Sequence, residues 1–263
     1  MRNAFICSIL VLVASASSAG LLAQTAKPSG AATSMPNLSG TWNRSTGHTA
    51  AGIYEDDPGG VPFFGFTKQD PPLQPSAMEI YQANRKGITD PRSKGRDDSD
   101  PSNSCFPPGP TRIFTVPRPF EIRQTQGVVY ILSEMDHWVR RIHMNEREHP
   151  DGYPSTWMGH SIGKYDGNTL VVDTAAINET TWIDTLGHPH SDALHLVERI
   201  RRPTHDTLEI EVTFEDPKVY TKPWTGKKVY QLQSPDYELK EEVICEEYRK
   251  PGLRNDGFEF IKP

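Results

Sequence analysis

The 263 residues hold no apolar run long enough to cross a bilayer as a helix, which takes roughly 20 residues. Stable membrane insertion is therefore not expected. Basic clusters are equally scarce. No basic cluster is larger than the three at Arg199, Arg201 and Arg202, and the net charge is −6, a balance unsuited to a nucleic-acid partner. The chain has no Gly-x-Ser-x-Gly elbow, no His-Glu-x-x-His pair, no phosphate loop and no dinucleotide fingerprint. The usual signatures of serine hydrolases, zinc proteases and nucleotide-dependent enzymes are thus missing. Cysteine is sparse, with three in all.

The N-terminus is where apolar sequence concentrates. Arg2 supplies a positive charge, Ala4 to Val13 form an apolar stretch, and small residues run from Ala14 to Gly20. That order is the signature of a cleavable secretory signal peptide. Cleavage fits after Ala19 or Ala23, and Ala23 is preferred because polar sequence begins at Gln24. Residues 1–23 are read as signal peptide, 24–35 as a flexible linker and 36–263 as one domain. The expected location is periplasmic or secreted. Cys7 leaves with the signal, and Cys105 and Cys245 remain. An even count in an oxidising compartment predicts one disulfide, against the alternative of two buried thiols. Closing so long a loop stabilises by about 4–5 kcal/mol on the chain-entropy argument.

Gly and Pro dominate from residue 36 to 110, with one helix expected from Pro75 to Gly87 and a surface loop over 88–104. From Arg112 onward short β-rich runs recur with turns between them. They cover 113–116, 120–125, 128–132, 138–143, 161–165, 169–174, 195–202, 207–214, 227–233 and 237–245. Asp166-Gly167-Asn168 is a hairpin signal, and residues 207–213 alternate strictly between apolar and polar. The fold class is mainly β: an antiparallel meander closing into a barrel in preference to a sandwich, preceded by a long Gly/Pro-rich region with one short helix.

Gly40-Thr41-Trp42, ahead of this up-and-down pattern, resembles the Gly-x-Trp opening of lipocalin-like barrels, in which the Trp plugs one end. A broader resemblance covers residues 105–245. Cys105 to Pro110, Trp157-Met158-Gly159-His160-Ser161-Ile162-Gly163, Asp166 to Thr174, Gly187 to His195 and Tyr220 to Trp224 are similar to an uncharacterised family of exported bacterial proteins. That resemblance implies a bacterial, exported origin and carries no reaction.

Chemistry concentrates between Trp182 and His195, where His188, His190, His195, Asp184 and Asp192 share a Gly- and Pro-broken loop. Loops held by a rigid sheet are common places for sites. Three readings stay open. One makes His190 and His195 general acid and base, with Asp192 or Asp184 orienting an imidazole. Another makes His188, His190 and His195 ligands of zinc or another divalent metal. The third is a polar loop whose histidines pair locally. A second constellation spans residues 134–143. Alternation sets His137, Val139, Arg141 and His143 on one side and Trp138, Arg140 and Ile142 on the other. If the first side faces a cavity, His137 is a base and Arg141 clamps an anion, and if it faces water both are solvated charges. Tyr153, Trp157, His160 and Trp182, with Phe63, Phe64 and Phe66, would line a small-molecule site if they stand in loops around a barrel mouth, and packing in the core is the other, commoner reading.

The expectation is an exported enzyme acting on a small organic molecule by His/Asp acid–base chemistry, as a lyase, isomerase or hydrolase, with no cofactor required. Its rivals are a lipocalin-like carrier of an apolar ligand and a metal-binding protein. The oligomeric state is not legible.

Overall fold

Nine strands hydrogen-bond in chain order and close on themselves. They are β1 (Gly40–Arg44), β2 (Phe120–Gln124), β3 (Val128–Ser133), β4 (Val139–His143), β5 (His160–Asp166), β6 (Thr169–Ala175), β7 (His195–Thr204), β8 (Thr207–Glu215) and β9 (Trp224–Leu232). One helix, α1 (Pro75–Thr89), precedes the run of strands from β2 onward. The structure is a computed structural model and describes residues 35–44, 55–57, 60–89, 100–241 and 244–245. The signal peptide, nearly all of the linker and residues 90–99 of the expected surface loop lie outside the described residues. No helix among the described residues is long and apolar enough to cross a membrane.

The barrel follows from period-2 alternation. In β8, Leu208, Ile210, Val212 and Phe214 are fully buried while Glu209, Glu211 and Thr213 face outward. Each such burial contributes roughly 1.5–3 kcal/mol. The two-residue turn at Gly167 and Asn168 joins β5 to β6, and Gly167 takes a left-handed φ of 57°. Trp42 is fully buried, its indole N–H donates to Leu38 O at 3.0 Å, and the Arg202 guanidinium lies 5.1 Å from its ring.

One pairing departs from the meander. β4 and β5 run parallel, with Ile142 opposite Ser161. Parity explains it: strands that alternate in direction around a closed barrel must be even in number. Nine strands need at least one parallel pair. A parallel pair cannot be joined by a tight turn and needs a crossover of about a dozen residues or more. Residues 144–159 are that crossover.

Two expected strands are not strands. Arg112–Phe114 is a 3-10 turn, because Thr115 Oγ1 donates to Arg112 O at 3.0 Å and the Arg112 guanidinium binds Asp100 at 2.6 Å on both oxygens. Residues 237–241 form no strand either. The β1–β9 pairing has already closed the sheet, so no open edge remains for another. Instead Tyr237 Oη and Lys240 N donate to the Glu134 carboxylate at 2.8 and 3.1 Å. Cys245 is joined to Cys105 by the expected disulfide, with Cα atoms 5.5 Å apart.

The interior is filled by contacts that cross it. Phe120 packs edge-on against Phe114 and Tyr230. Arg140 on β4 reaches Glu198 on β7, donating to Oε1 at 2.8 Å and to Oε2 at a shorter contact. Its guanidinium also donates to Thr174 Oγ1 at 2.9 Å and Ser161 Oγ at 3.1 Å. Near the β1–β9 seam, Asp57 accepts from Arg44 Nε and Lys228 Nζ, both at 2.9 Å. Burial first, then the neighbouring Arg44 charge, pull the Lys228 ammonium down to about 8. The loop carrying Phe66 lies against β9, where a Cβ on Gly226 would sit 2.9 Å from Phe66 O, so only glycine fits.

Candidate functional site

The parallel pair decides where chemistry collects. The 144–159 crossover lies over the outer wall and lowers Glu146, His149 and Tyr153 onto outward-facing side chains of β4, β5 and β6. Ser161, Thr174, Leu196 and Phe214 point inward, so His160, Asp173, His195 and Glu215 beside them point outward. Gly159 makes the entry to β5. Its φ is 65°, and a Cβ there would lie 2.7 Å from Ala175 O, so backbone approach and conformation both require glycine.

The outcome is a continuous chain of side chains. His143 Nδ1 lies 3.2 Å from Glu146 Oε1, and Glu146 Oε2 lies 3.0 Å from His160 Nε2. His160 Nδ1 meets His149 Nδ1 at 2.8 Å. Asp173 Oδ1 accepts from His149 Nε2 and from His195 Nε2, both at 2.9 Å. His195 Nδ1 lies 3.3 Å from Glu215 Oε2. Tyr153 tilts against His160 with centroids 4.5 Å apart, and the His143 ring stacks on it at 5.1 Å. This cover leaves His160 only 4% exposed, although it is on the outside of the barrel. Beside the chain runs a groove of about 250 Å³, lined by Glu146, Arg147, Ile162, Lys164, Asp173 and Val197 among others.

The electrostatics differ along the chain. Burial pulls the His160 imidazole below its usual range, with the His149 and His143 charges adding and Glu146 opposing. At Asp173 burial acts upward, but hydrogen bonds and charge from His149 and His195 outweigh it and hold the carboxyl below its ordinary value. At His195 burial acts downward and is outweighed by Asp173 and Glu215, which raise it.

Comparison with protein-family models, curated proteins and solved structures finds no match. What the chain does must be argued from its own geometry, and the closed nine-stranded barrel is the part compatible with a lipocalin-like opening.

The sequence candidates scatter. His195, His160 and Tyr153 belong to the wall. His190 does not: it is buried, its Nδ1 donates to Ser191 O at 2.9 Å and its Nε2 accepts from Thr181 Oγ1 at 2.6 Å. Burial lowers its pKa and both nitrogens are spent, which suits a structural post in the loop. Asp192 is exposed and paired with Lys218 at 2.5 Å, far from orienting an imidazole. Asp184 does orient one, but it is His188: Oδ2 accepts from Nδ1 at 2.7 Å, with Tyr81 of α1 stacked on the ring at 4.2 Å. His188 Nε2 is buried without a hydrogen-bond partner, 3.7 Å from Asp70 Oδ1. Among the described residues His188, His190 and His195 do not converge as metal ligands. His137 is exposed and bonds Glu241 O at 2.9 Å, and Arg141 faces solvent, because the inward side of β4 is Arg140 and Ile142. Trp157 stacks on Phe106 at 5.0 Å, and Trp182 is buried beneath the Arg112 guanidinium, also at 5.0 Å.

His143, Glu146, His149, Asp173 and Glu215 were not among the sequence candidates. The His-x-x-Glu-x-x-His spacing of the first three was visible in the chain. Asp173 had a fainter signal, an acidic residue in the apolar run of 169–174.

Proposed function

We propose that the protein is an exported enzyme that acts on a small polar molecule in the groove of the outer wall, with His195 and Asp173 as its proton-transfer pair. One observation carries this reading. Both ring nitrogens of His195 face carboxylates, Asp173 at 2.9 Å and Glu215 at 3.3 Å. Carboxylates only accept, so both nitrogens must donate and the ring is an imidazolium. Its side chain is 37% exposed, so the acid is open to a bound molecule. Asp173 lines the groove and is the conjugate acceptor. An imidazolium acid beside a carboxylate base suits proton transfer in a lyase, isomerase or hydrolase. The Cys105–Cys245 disulfide supports export, since such bonds persist in oxidising compartments.

The carrier reading fares worse. A carrier barrel keeps an open interior, whereas here the Arg140–Glu198 pair and the Phe114–Phe120–Tyr230 group cross it.

The test compares wild type with His195→Gln and Asp173→Asn. Each is incubated with a mixed extract of extracellular small molecules, and consumption is followed by mass spectrometry. Wild type should consume at least one compound that both variants leave intact. Equal consumption by all three refutes the assignment.

A further inference from the structure

The stretch from Glu146 to Asp173 needs more hydrogens than two neutral imidazoles carry. It contains three contacts, Glu146 to His160 at 3.0 Å, His160 to His149 at 2.8 Å and His149 to Asp173 at 2.9 Å. Both ends are carboxylates, which accept only, so every contact needs a hydrogen from a ring. Two imidazoles share those three contacts, so either one ring carries a second hydrogen or a cation takes its place at one nitrogen.

A cation at the Glu146 end removes the deficit. With His160 Nε2 bound to a metal, His160 Nδ1–H donates to His149 Nδ1 and His149 Nε2–H donates to Asp173. Both rings are then neutral and every contact is made. This is the carboxylate–histidine–metal arrangement in which the ring nitrogen away from the metal is fixed by an outer carboxylate, lengthened by one imidazole.

The donors for such an ion stand together. His143, Glu146 and His160 each offer one ligand atom, and these atoms all lie within 4.8 Å of one another. They are the one His/Cys/Asp/Glu group among the described residues with that convergence. Glu146 bridges the pair through its two oxygens, and the parallel rings of His143 and His160, 11° apart, bring their nitrogens to the same side.

We propose that His143, Glu146 and His160 hold a divalent transition cation of borderline softness, for which zinc is the natural probe. Two imidazoles and a carboxylate match that class and not calcium or magnesium, which take oxygen ligands. Three protein ligands leave a fourth position open, as in catalytic and not structural zinc sites. The inference deepens the enzymatic reading and rests on the same wall, but none of its ligands is His195.

The experiment uses the mature protein purified without a His tag and dialysed against chelator. Zinc chloride is titrated by calorimetry, and cobalt chloride by the visible bands of the bound ion. Wild type should take up one equivalent. Glu146→Gln and His143→Gln, both on partly exposed side chains, should weaken binding by about tenfold or more while melting normally. His205→Gln, an exposed histidine on the β7–β8 turn, should bind as wild type. No stoichiometric uptake by wild type, or equal affinity in Glu146→Gln and His143→Gln, overturns the site. The two readings separate in the same samples. Consumption of a small molecule that depends on His195, in a protein that takes up no stoichiometric metal, keeps the enzyme and overturns the metal. One equivalent of metal with no consumption keeps the metal site and overturns the enzyme.

Discussion

Glu198→Gln should be among the most damaging single changes in the barrel. Glu198 is fully buried on β7 and forms a two-pronged pair with Arg140, itself 1% exposed. The substitution keeps the shape and one accepting oxygen, but it leaves the guanidinium charge uncompensated in a dry interior. Thr174, Ser161 and Pro110 O still accept from Arg140, and none carries a charge. Removing one partner of a buried pair costs about 3–5 kcal/mol. For a domain of this size each kcal/mol moves Tm by roughly 2–4 °C, so the variant should melt roughly 6–20 °C lower. Urea denaturation followed by circular dichroism at neutral pH measures the free energy directly. The Arg140→Met/Glu198→Leu pair should recover most of the loss, since apolar replacement of a buried ion pair is often neutral or stabilising. A loss below about 1 kcal/mol in Glu198→Gln would refute the reasoning, because the charge would then have water or another partner. The change bears on the site as well. Ser161 and Thr174 sit directly beside His160 and Asp173, so the same guanidinium that crosses the interior ties down the two strands whose outer faces carry those side chains.

Stability should also report on the wall. The pKa of His195 is raised, so its contribution is complete below the ordinary 6.5 and fades as pH rises through the higher folded value; His195→Gln should abolish that part of the pH profile in thermal melts. Asp173 is lowered, so its contribution is complete above the ordinary 3.8 and is lost as pH falls through the folded value; Asp173→Asn should flatten the acid limb of the same profile. Lys228 titrates at about 8 in the barrel against 10.5 ordinarily, so the unfolded chain holds the extra proton between those values and stability should rise with pH across that window. Lys228→Met should erase the rise, as read by denaturant midpoints. Replacing both Cys105 and Cys245 by Ala opens a loop of 140 residues and should cost about 5 kcal/mol, read as a lower urea midpoint that reductant leaves unchanged.

The β runs from 120 to 232 were legible because period-2 alternation is a local property: burial on one face needs no knowledge of partners. The turn at Gly167-Asn168 and the helix opened by Pro75 were legible for the same reason. The disulfide followed from counting. Two runs misled. In 113–116 apolar residues pack as a 3-10 turn under a buried Arg112–Asp100 pair, and beyond 236 the barrel had no edge left to extend.

The site was half legible. His195, His160 and Tyr153 stood out by residue type, as did Asp184 beside an imidazole. Sequence proximity, however, pointed His188, His190 and His195 at one another, and folding sends them to three environments. His188 lies under α1, His190 is bonded to Thr181 inside the loop, and His195 begins a strand with its side chain outward.

Composition and alternation alone therefore determined a mainly β scaffold and the types of side chain available for chemistry. The tertiary structure alone decided which of them meet. Its reason is the parity of a nine-stranded closed sheet, which demands a parallel pair and a long crossover, and so brings Glu146 and His149 to residues on β5 and β6 that no local pattern links to them.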